Sequence, residues 1–203
     1  NITAVHYEIV DRVLSDNQIV NNKNPKCYRA QKTDKHTWQL PQAKSGQTLK
    51  VYYEVYCYDL SVRTAYVDQQ RLYGNFTSLA LAIDGQEQSS VKASLMVPEA
   101  FFMDKNKEQV LLACGLKATQ LQSDERDLYS VQADSYHELI DYPFEIAIQE
   151  KFDFIIQDSQ HQTLSHRFFL TGKHNADMGR LQQDITQICQ TYLNWLGDAP
   201  FDD

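Results

Sequence analysis

The chain has 203 residues, of which 42% are hydrophobic and 11% aromatic, and its formal net charge is -8. This composition is ordinary for a folded protein with a sizeable core. The acidic balance argues against nucleic acid and against an anionic membrane surface as the main partner. No apolar run reaches the length of a membrane-spanning helix, so we expect no membrane partner.

Four cysteines lie far apart in the sequence, without the close spacing of a metal site, at Cys27, Cys57, Cys114 and Cys189. Four cysteines in a chain of this length do not make a disulfide scaffold, and we expect mostly buried, reduced thiols. Reduced thiols are typical of a cytoplasmic protein, which is the location we predict. Because the sequence begins without Met, we interpret it as a piece of a longer protein.

The first part of the chain reads as short strands that lead into one strongly patterned strand. Alternating runs occur at residues 2–7 and 9–13, a polar, turn-rich loop at 15–26, and a turn into a short strand at Lys32–Leu40. From Leu49 to Cys57 apolar and polar residues alternate strictly, as in a strand with one buried face. We expect the apolar set to face a core: Leu49, Val51, Tyr53, Val55 and Cys57.

The next part contains further short strands separated by turn signals. Residues 67–74 are polar and read as a segment ending in a loop, whereas the run Phe76–Ile83 predicts a strand closed by a tight turn at Asp84 and Gly85. Shorter runs predict strands at residues 90–97, 109–115 and 128–131. Strands and turns that recur every ten or so residues predict a mainly β fold, an antiparallel β-sandwich domain.

A change of pattern after Pro143 predicts a second region. Around its start, short strands are predicted at Phe144–Ile148, Phe152–Ile156 and Arg167–Leu170. Apolar residues at three- and four-residue spacing then predict one long amphipathic helix over residues 176–196. Asn175 or Asp177 can cap its start, and Gly197 stands where a helix C-cap is expected.

No set of residues has the spacing of a self-contained active site, so we predict no catalytic and no metal-binding residues in this chain. His137–Asp141 is a near match to the zinc-peptidase pattern H-E-x-x-H, but Asp141 replaces the second histidine and Pro143 limits any helix. His161, His166 and His174 form a loose group. We interpret them as surface histidines, with a metal site as the open alternative.

The segment Tyr73–Ser78 is the candidate for contact with a ligand. Asn75 and Thr77 could present hydrogen-bonding groups to a peptide at the entry to a strand. The alternative is a turn in which Gly74 and Asn75 supply unusual backbone angles. The residue types alone favour the turn.

Five stretches of the chain have a counterpart, in the same order, in one known family. They are Lys32–Trp38 with Asp34, His36 and Trp38; Tyr53–Arg63 with Tyr53, Asp59 and Arg63; Asn75–Ser78; Glu138–Glu145; and Gly172–Asp177. Together they resemble the non-catalytic opening part of the M61 family of zinc metallopeptidases, the glycyl aminopeptidase-like proteins. The family's F-F-N-G-T-S loop stands here as Tyr73–Ser78, with the glycine and the second phenylalanine exchanged.

The resemblance implies a β-sandwich amino-terminal domain, then a thermolysin-like zinc catalytic domain beginning near residue 149, then a PDZ-like domain. The H-E-x-x-H helix would follow Asp203, so this fragment would hold no cofactor and would be inactive, while the full-length enzyme would hold zinc. Its partners would be a peptide substrate and its own catalytic domain, and the fragment would shape one side of the substrate cleft. Asn75 and Thr77 would then bind substrate.

The remaining residues of the family pattern would have structural roles: Asp34, His36, Trp38, Tyr53, Asp59 and Arg63. In particular, we expect Asp59 and Arg63 to fix the exit of the patterned strand that starts at Leu49, by hydrogen bonds or by a mutual ion pair.

A second interpretation is a stand-alone β-sandwich module that binds a glycan or a protein. Tyr52, Tyr56 and Tyr58 lie on the face of the central strand opposite the core set, where exposed rings could stack on a ligand. The sequence beyond Asp203 distinguishes the two, because an H-E-x-x-H helix there would identify the peptidase.

Overall fold

The computed structural model of the protein describes residues 2, 4–11, 27–102, 109–123 and 126–197. The chain forms two compact units, residues 1–58 and 59–203. In both units the described strands pair antiparallel, which confirms the predicted mainly β class. The polar loop predicted at residues 15–26 lies outside the described residues.

Strands make up most of the regular structure. In chain order they are β1 (His6–Asp11), β2 (Tyr28–Arg29), β3 (Gln31–Lys32), β4 (Trp38–Gln39), β5 (Gln47–Tyr52), β6 (Ala65–Val67), β7 (Arg71–Gly74), β8 (Val91–Val97), β9 (Val110–Cys114), β10 (Lys117–Ser123), β11 (Arg126–Ala133), β12 (Phe144–Gln157) and β13 (Thr163–Thr171). The α-helices are α1 (Phe76–Leu79), α2 (Tyr136–Asp141) and α3 (Met178–Leu196), and a 3-10 helix covers Glu99–Phe102.

The first unit contains a three-stranded sheet in the order β2–β1–β5 and a short pair formed by β3 and β4. Side chains alternate between half-buried and exposed from Val51 to Tyr58, as the sequence predicts. The regular strand is nevertheless shorter than predicted and ends at Tyr52, because its partner β1 begins opposite that residue, at His6. One isolated bridge between Ile2 and Val55 continues the pairing.

A buried carboxylate ties β1 to β5. Glu8 is 5% exposed, accepts a hydrogen bond from the Tyr52 hydroxyl and lies 3.3 Å from the Lys50 ammonium. The Tyr52 hydrogen bond lowers the pKa of Glu8 below its ordinary value of 4.5; burial opposes this effect and Lys50 adds to it. A lowered folded-state pKa stabilises the fold above the unfolded-state pKa, and this stabilisation is lost as the pH falls through the folded value.

We therefore expect Tyr52→Phe to weaken the first unit at about pH 7 and to reduce the loss of stability on acidification to about pH 3.5. The reason is that the pKa of Glu8 rises when its main hydrogen-bond donor is removed. Urea unfolding at the two pH values measures both effects. Tyr56→Phe, at an exposed ring on the same strand face, is the control. An equal pH dependence in the Tyr52 variant and the unmodified chain would contradict the assignment.

The four cysteines are free thiols, as predicted, but they are less buried than expected. Cys27 is exposed, and Cys57, Cys114 and Cys189 are partly buried. Burial raises the pKa of the Cys57 and Cys114 thiols, so both remain protonated at neutral pH.

The second unit contains a sheet of order β10–β11–β8 and a second sheet centred on β12. β12 pairs with both β7 and β9 near its start and with β13 over Gln149–Gln157. The sequence predicts two separate strands here, but the residues between them also pair with β13, so the strand is continuous for 14 residues. The predicted domain boundary between residues 148 and 149 lies inside this strand.

Two hydrophobic clusters stabilise the second unit. The larger joins β8, β9, β11, the start of β12 and helices α1 and α2, and contains Phe76, Val97, Val131, Leu139, Phe144 and Ile146. The smaller one lies between α3 and the β12–β13 hairpin. It contains Phe154, Ile156 and Leu193, with Phe152 stacked on Phe168 at 4.9 Å.

Residues 65–83 differ from the sequence prediction. The polar segment is a hairpin of β6 and β7, closed by Asp68, whose carboxylate accepts hydrogen bonds from the backbone N–H groups of Gln70 and Arg71. The strand predicted at Phe76–Ile83 is instead the one-turn helix α1, followed by residues outside any strand. The predicted turn at Asp84–Gly85 is present.

Helix α3 confirms the predicted amphipathic helix. Asp177 caps its start by accepting a hydrogen bond from the Arg180 N–H at 3.1 Å, and Gly197 ends it with a φ of 86°. A residue with a side chain would be strained at that φ. Neither α3 nor another helix of the described residues is both long and apolar enough to cross a membrane.

Candidate functional site

Asn75 begins helix α1 as its N-cap. Its backbone is extended, with φ -101° and ψ 129°, and its Oδ1 accepts a hydrogen bond from the Thr77 N–H at 2.9 Å. The Thr77 hydroxyl lies 2.8 Å from the same oxygen. An Asn side chain at this position satisfies a helix N–H that would otherwise have no partner, which explains why the chain turns here.

The other end of the Asn75 amide holds a distant turn. Asn75 Nδ2 donates to the Val62 carbonyl at 3.0 Å, and the Tyr73 hydroxyl donates to the same oxygen at 3.0 Å. The Asn75 N–H also donates to the Thr64 carbonyl at 2.9 Å. We call Tyr73, Asn75, Thr77 and the turn of residues 61–64 the Asn75 cluster.

The turn of residues 61–64 is also closed from within. The Thr64 hydroxyl accepts a hydrogen bond from the Ser61 N–H at 3.0 Å and donates to the Asp59 carbonyl. The Asp59 N–H donates to the Ala65 carbonyl at 3.2 Å. Thr77 completes the contact from the other side, since its hydroxyl lies 3.2 Å from the Arg63 carbonyl. The turn is therefore fixed at several backbone groups.

Gly74 is required by packing rather than by its backbone angles. A Cβ at this position would lie 2.5 Å from Leu79 Cδ1 and 2.7 Å from Phe144 Cζ. Gly74 does not have a positive φ, and neither does Asn75. The alternative in which these two residues supply unusual backbone angles is therefore wrong, although the segment does form a turn.

Tyr73 connects the cluster to a polar group on β12. Burial, and then the negative charge of Glu145, raise the pKa of the Tyr73 hydroxyl, which therefore stays protonated and donates to Val62. Glu145 in turn lies 3.6 Å from the Arg71 guanidinium and accepts a hydrogen bond from the Thr171 hydroxyl at 2.9 Å. The Glu145 carboxylate thus links Arg71 of β7 and Thr171 of β13 to β12.

Asp59 and Arg63 contact the turn of residues 61–64 and its neighbours through their backbones. Asp59 makes these contacts through its C=O and N–H and Arg63 through its C=O, whereas both side chains are exposed. Within the described ranges the structure records no ion pair between them. The expected mutual ion pair is therefore absent from the described contacts.

The other residues of the family pattern lie in the first unit. Asp34 and His36 are exposed in the turn between β3 and β4, where Asp34 accepts a hydrogen bond from the Lys35 N–H. Trp38 is half-buried, and the Lys32 ammonium lies 5.3 Å from the centre of its ring. Tyr53 is half-buried just after β5. These residues belong to a different unit from Asn75 and Thr77.

The histidine-containing stretches do not form a metal site in the part of the chain that is described. His161 and His174 lie beyond opposite ends of β13, whose nine residues span about 30 Å. His166 stacks on Phe154. In the near match to H-E-x-x-H, the Glu138 carboxylate accepts a hydrogen bond from the Asp134 N–H, and its own N–H donates to the Ser135 hydroxyl. Ser135 therefore caps α2, and Glu138 contacts the backbone just before the cap.

The geometry of the Asn75 cluster holds its own turn in place. Asn75 is 7% exposed, and both ends of its side-chain amide already have partners. Neither its Oδ1 nor its Nδ2 is therefore free for a ligand. Thr77 and the Arg63 side chain are exposed beside it. The substrate-binding role that the sequence suggests for Asn75 and Thr77 stays a prediction, and sequence reasoning did not single out Tyr73 or Thr64, because their contacts join residues that local spacing does not relate.

Comparison with known proteins identifies the family. The family model described as the peptidase M61 N-terminal domain matches residues 7–148. The crystal structure of an aminopeptidase N family protein from Idiomarina loihiensis is similar, with a TM-score of 0.68 and 28% identity. The similarity covers 98% of this chain and 29% of that one. No curated protein matches the sequence.

The chain belongs to the peptidase M61 family and contains its N-terminal domain. The resemblance found in the sequence is therefore confirmed. The chain spans less than a third of the aminopeptidase that it resembles.

Proposed function

We propose that this chain is the non-catalytic amino-terminal region of an M61-like zinc aminopeptidase and that it shapes one side of the peptide-binding cleft. The observation that carries the proposal is the family match over residues 7–148, and the similarity to a much longer aminopeptidase supports it. Peptide substrates are the expected partners of such a protein. The second partner is the catalytic domain of the same polypeptide.

The described residues do not fit a zinc ion. No three His, Cys, Asp or Glu side chains among them are grouped closely enough to hold a metal. We therefore assign zinc to the remainder of the complete protein and derive no step of peptide hydrolysis from this chain. Its contribution is to hold a surface in place, for which the Asn75 cluster is well suited because its backbone groups are fixed by side chains.

The test compares the 203-residue chain with the product of the complete gene. We expect the complete protein to hydrolyse short peptides and to contain about one zinc ion per chain. The 203-residue chain should show neither property, as judged by metal analysis and a peptidase assay. One tightly bound zinc ion in the isolated chain, or robust hydrolysis by it, would contradict the proposal.

A variant in the complete protein tests the proposed place in the cleft. Thr77→Val removes a hydroxyl that contacts Asn75 Oδ1 and the Arg63 carbonyl but keeps the shape of the side chain, so we expect KM for a short peptide to rise several-fold together with a lower unfolding midpoint. An unchanged KM would show that Thr77 does not contact the peptide substrate.

A stand-alone binding module is the second candidate function, because two exposed tyrosines lie side by side. Tyr56 and Tyr58 are 73% and 63% exposed, with ring centroids 6.5 Å apart. Glycan or protein binding by the isolated chain that is lost in Tyr56→Ala would favour the module. Tyr52 is less suitable for this test because its hydroxyl is bonded to Glu8.

A further inference from the structure

The turn of residues 61–64 is held by contacts to every one of its carbonyl groups. Three of the four accept hydrogen bonds, and the fourth, that of Arg63, lies 3.2 Å from the Thr77 hydroxyl. The partners outside the turn are on β7 and at the start of α1, at Tyr73, Asn75 and Thr77. Because the backbone is held from two elements, the points at which its side chains leave the turn are fixed.

The side chains at the tip of this turn take little part in the fold. Val62 is 79% exposed, and the Arg63 side chain is exposed beside it. In the described part of the chain, ion pairs are recorded for Arg71 and Arg180 but none for Arg63. The turn therefore presents a guanidinium without an acidic partner among the described residues, next to an exposed apolar side chain.

This pair of side chains matches the chemistry of a peptide's C-terminal end. A guanidinium offers its N–H groups in a planar fork that binds both oxygens of one carboxylate. In a peptide, the C-terminal carboxylate is attached to the carbon atom that carries the last side chain, which an apolar neighbour such as Val62 can contact. A backbone that is already fixed loses little conformational freedom when the ligand binds.

The charge of the chain favours a ligand with one carboxylate over a polyanion. The formal net charge of -8 repels an extended negative partner, whereas a single carboxylate needs only one local cation. The position is also consistent with the proposed cleft. Thr77, the candidate for contact with the peptide, lies directly against the Arg63 carbonyl, and both residues are exposed.

We propose that Arg63 binds the C-terminal carboxylate of short peptide substrates and that Val62 contacts their last side chain. The inference rests on the proposed function, because it requires the turn to face the peptide cleft of the complete protein. An extended peptide gains about 3.3 Å with each residue, so the carboxylate reaches Arg63 from the cleavage site only over a narrow range of peptide lengths. Arg63 thereby selects short peptides with a free carboxylate.

Hydrolysis of trialanine and of trialanine amide by the complete protein tests the proposal. We expect kcat/KM to be about 10- to 100-fold higher for the free acid, because only the acid forms a charge-assisted hydrogen bond with Arg63. In Arg63→Ala this preference should disappear through a loss for the acid alone. Equal kcat/KM for the two peptides in the unmodified protein would overturn the inference, as would a preference that survives in Arg63→Ala.

Lys92→Ala is the matched control for the lost charge. Lys92 is an exposed cation on β8, outside the Asn75 cluster. Its removal changes the net charge by the same amount as Arg63→Ala, so it reproduces any general effect on the attraction of anions. We expect the preference for the free acid to remain in Lys92→Ala. A loss as large as that in Arg63→Ala would contradict a specific site at Arg63.

Peptides of two to six alanine residues provide a second test. We expect kcat/KM of the unmodified complete protein to have a clear maximum at one length, and the differences between lengths to shrink in Arg63→Ala. The same dependence on length in both proteins would contradict the proposal.

Binding without hydrolysis separates this inference from the proposed function. After metal has been removed with a chelator, calorimetry compares the affinity of the complete protein for the same acid and amide. A preference for the acid that is lost in Arg63→Ala, in a protein without peptidase activity, would support the carboxylate site and refute the peptidase. Peptidase activity without this preference would refute the carboxylate site alone. Neither binding nor hydrolysis of either peptide would refute both.

Discussion

Gly74→Ala is expected to destabilise the second unit by about 2 to 3 kcal/mol. The added methyl group would overlap Phe144, which is 7% exposed and packs against Phe76 with ring centroids 5.2 Å apart. Leu79 crowds the same position from α1, so neither neighbour can move away without disturbing the larger core. Urea unfolding of the 203-residue chain measures the change in the free energy of unfolding.

Gly179→Ala is the matched control for this substitution. Gly179 lies in the first turn of α3, where the nearest atom to an added Cβ is Asp177 Oδ1 at an ordinary 3.5 Å. Alanine favours the helix over glycine, so this variant should be more stable by about 0.5 to 1 kcal/mol. If both variants unfolded at the urea concentration of the unmodified chain, the close packing at Gly74 would not be energetically important.

Asn75→Ala is expected to cost about 2 to 3 kcal/mol. The variant loses the N-cap acceptor of α1, which is typically worth about 1 kcal/mol. It also loses the hydrogen bond to the Val62 carbonyl, and buried groups without partners add a further 1 to 2 kcal/mol or so. The free energy of unfolding from urea titration provides the measurement.

One further variant determines which end of the Asn75 amide contributes to stability, and a second variant serves as the control. Asn75→Asp keeps the cap oxygen but places an acceptor against the Val62 carbonyl, so it should destabilise at neutral pH and recover when the carboxyl group is protonated. Arg63→Ala changes an exposed side chain of the same cluster and should alter stability by less than about 0.5 kcal/mol. An Asn75→Ala variant as stable as Arg63→Ala would show that the cluster does not hold the turn.

Local patterns predicted the elements that have one apolar and one polar face. The alternation from Leu49 and the three- and four-residue spacing in α3 both describe side chains, and burial follows them. Strand length was not predictable in the same way, because a ladder also needs a partner, and β1 begins opposite Tyr52. Similarly, the apolar run after Asn75 resembles a strand, but the cap selects a helical turn.

The Asn75 cluster was predictable only in part. Asn75 and Thr77 have the residue types of a cap, and their local contact follows from adjacent positions. Their contacts to Val62 and Arg63 join residues 13 and 14 positions apart through the β6–β7 hairpin, which the sequence did not reveal. The crowding that excludes a side chain at Gly74 comes from Phe144, which is far along the chain.

The continuity of β12 limits where the second unit can move. Every residue of this strand has a neighbour in a ladder, with β9 as partner up to Ile148 and β13 from Gln149 onward. A hinge between residues 148 and 149 would have to break the strand that supports both hydrophobic clusters. The β-sheet region and the hairpin that carries α3 therefore form one continuous sheet, in which no hinge is expected at residues 148 and 149.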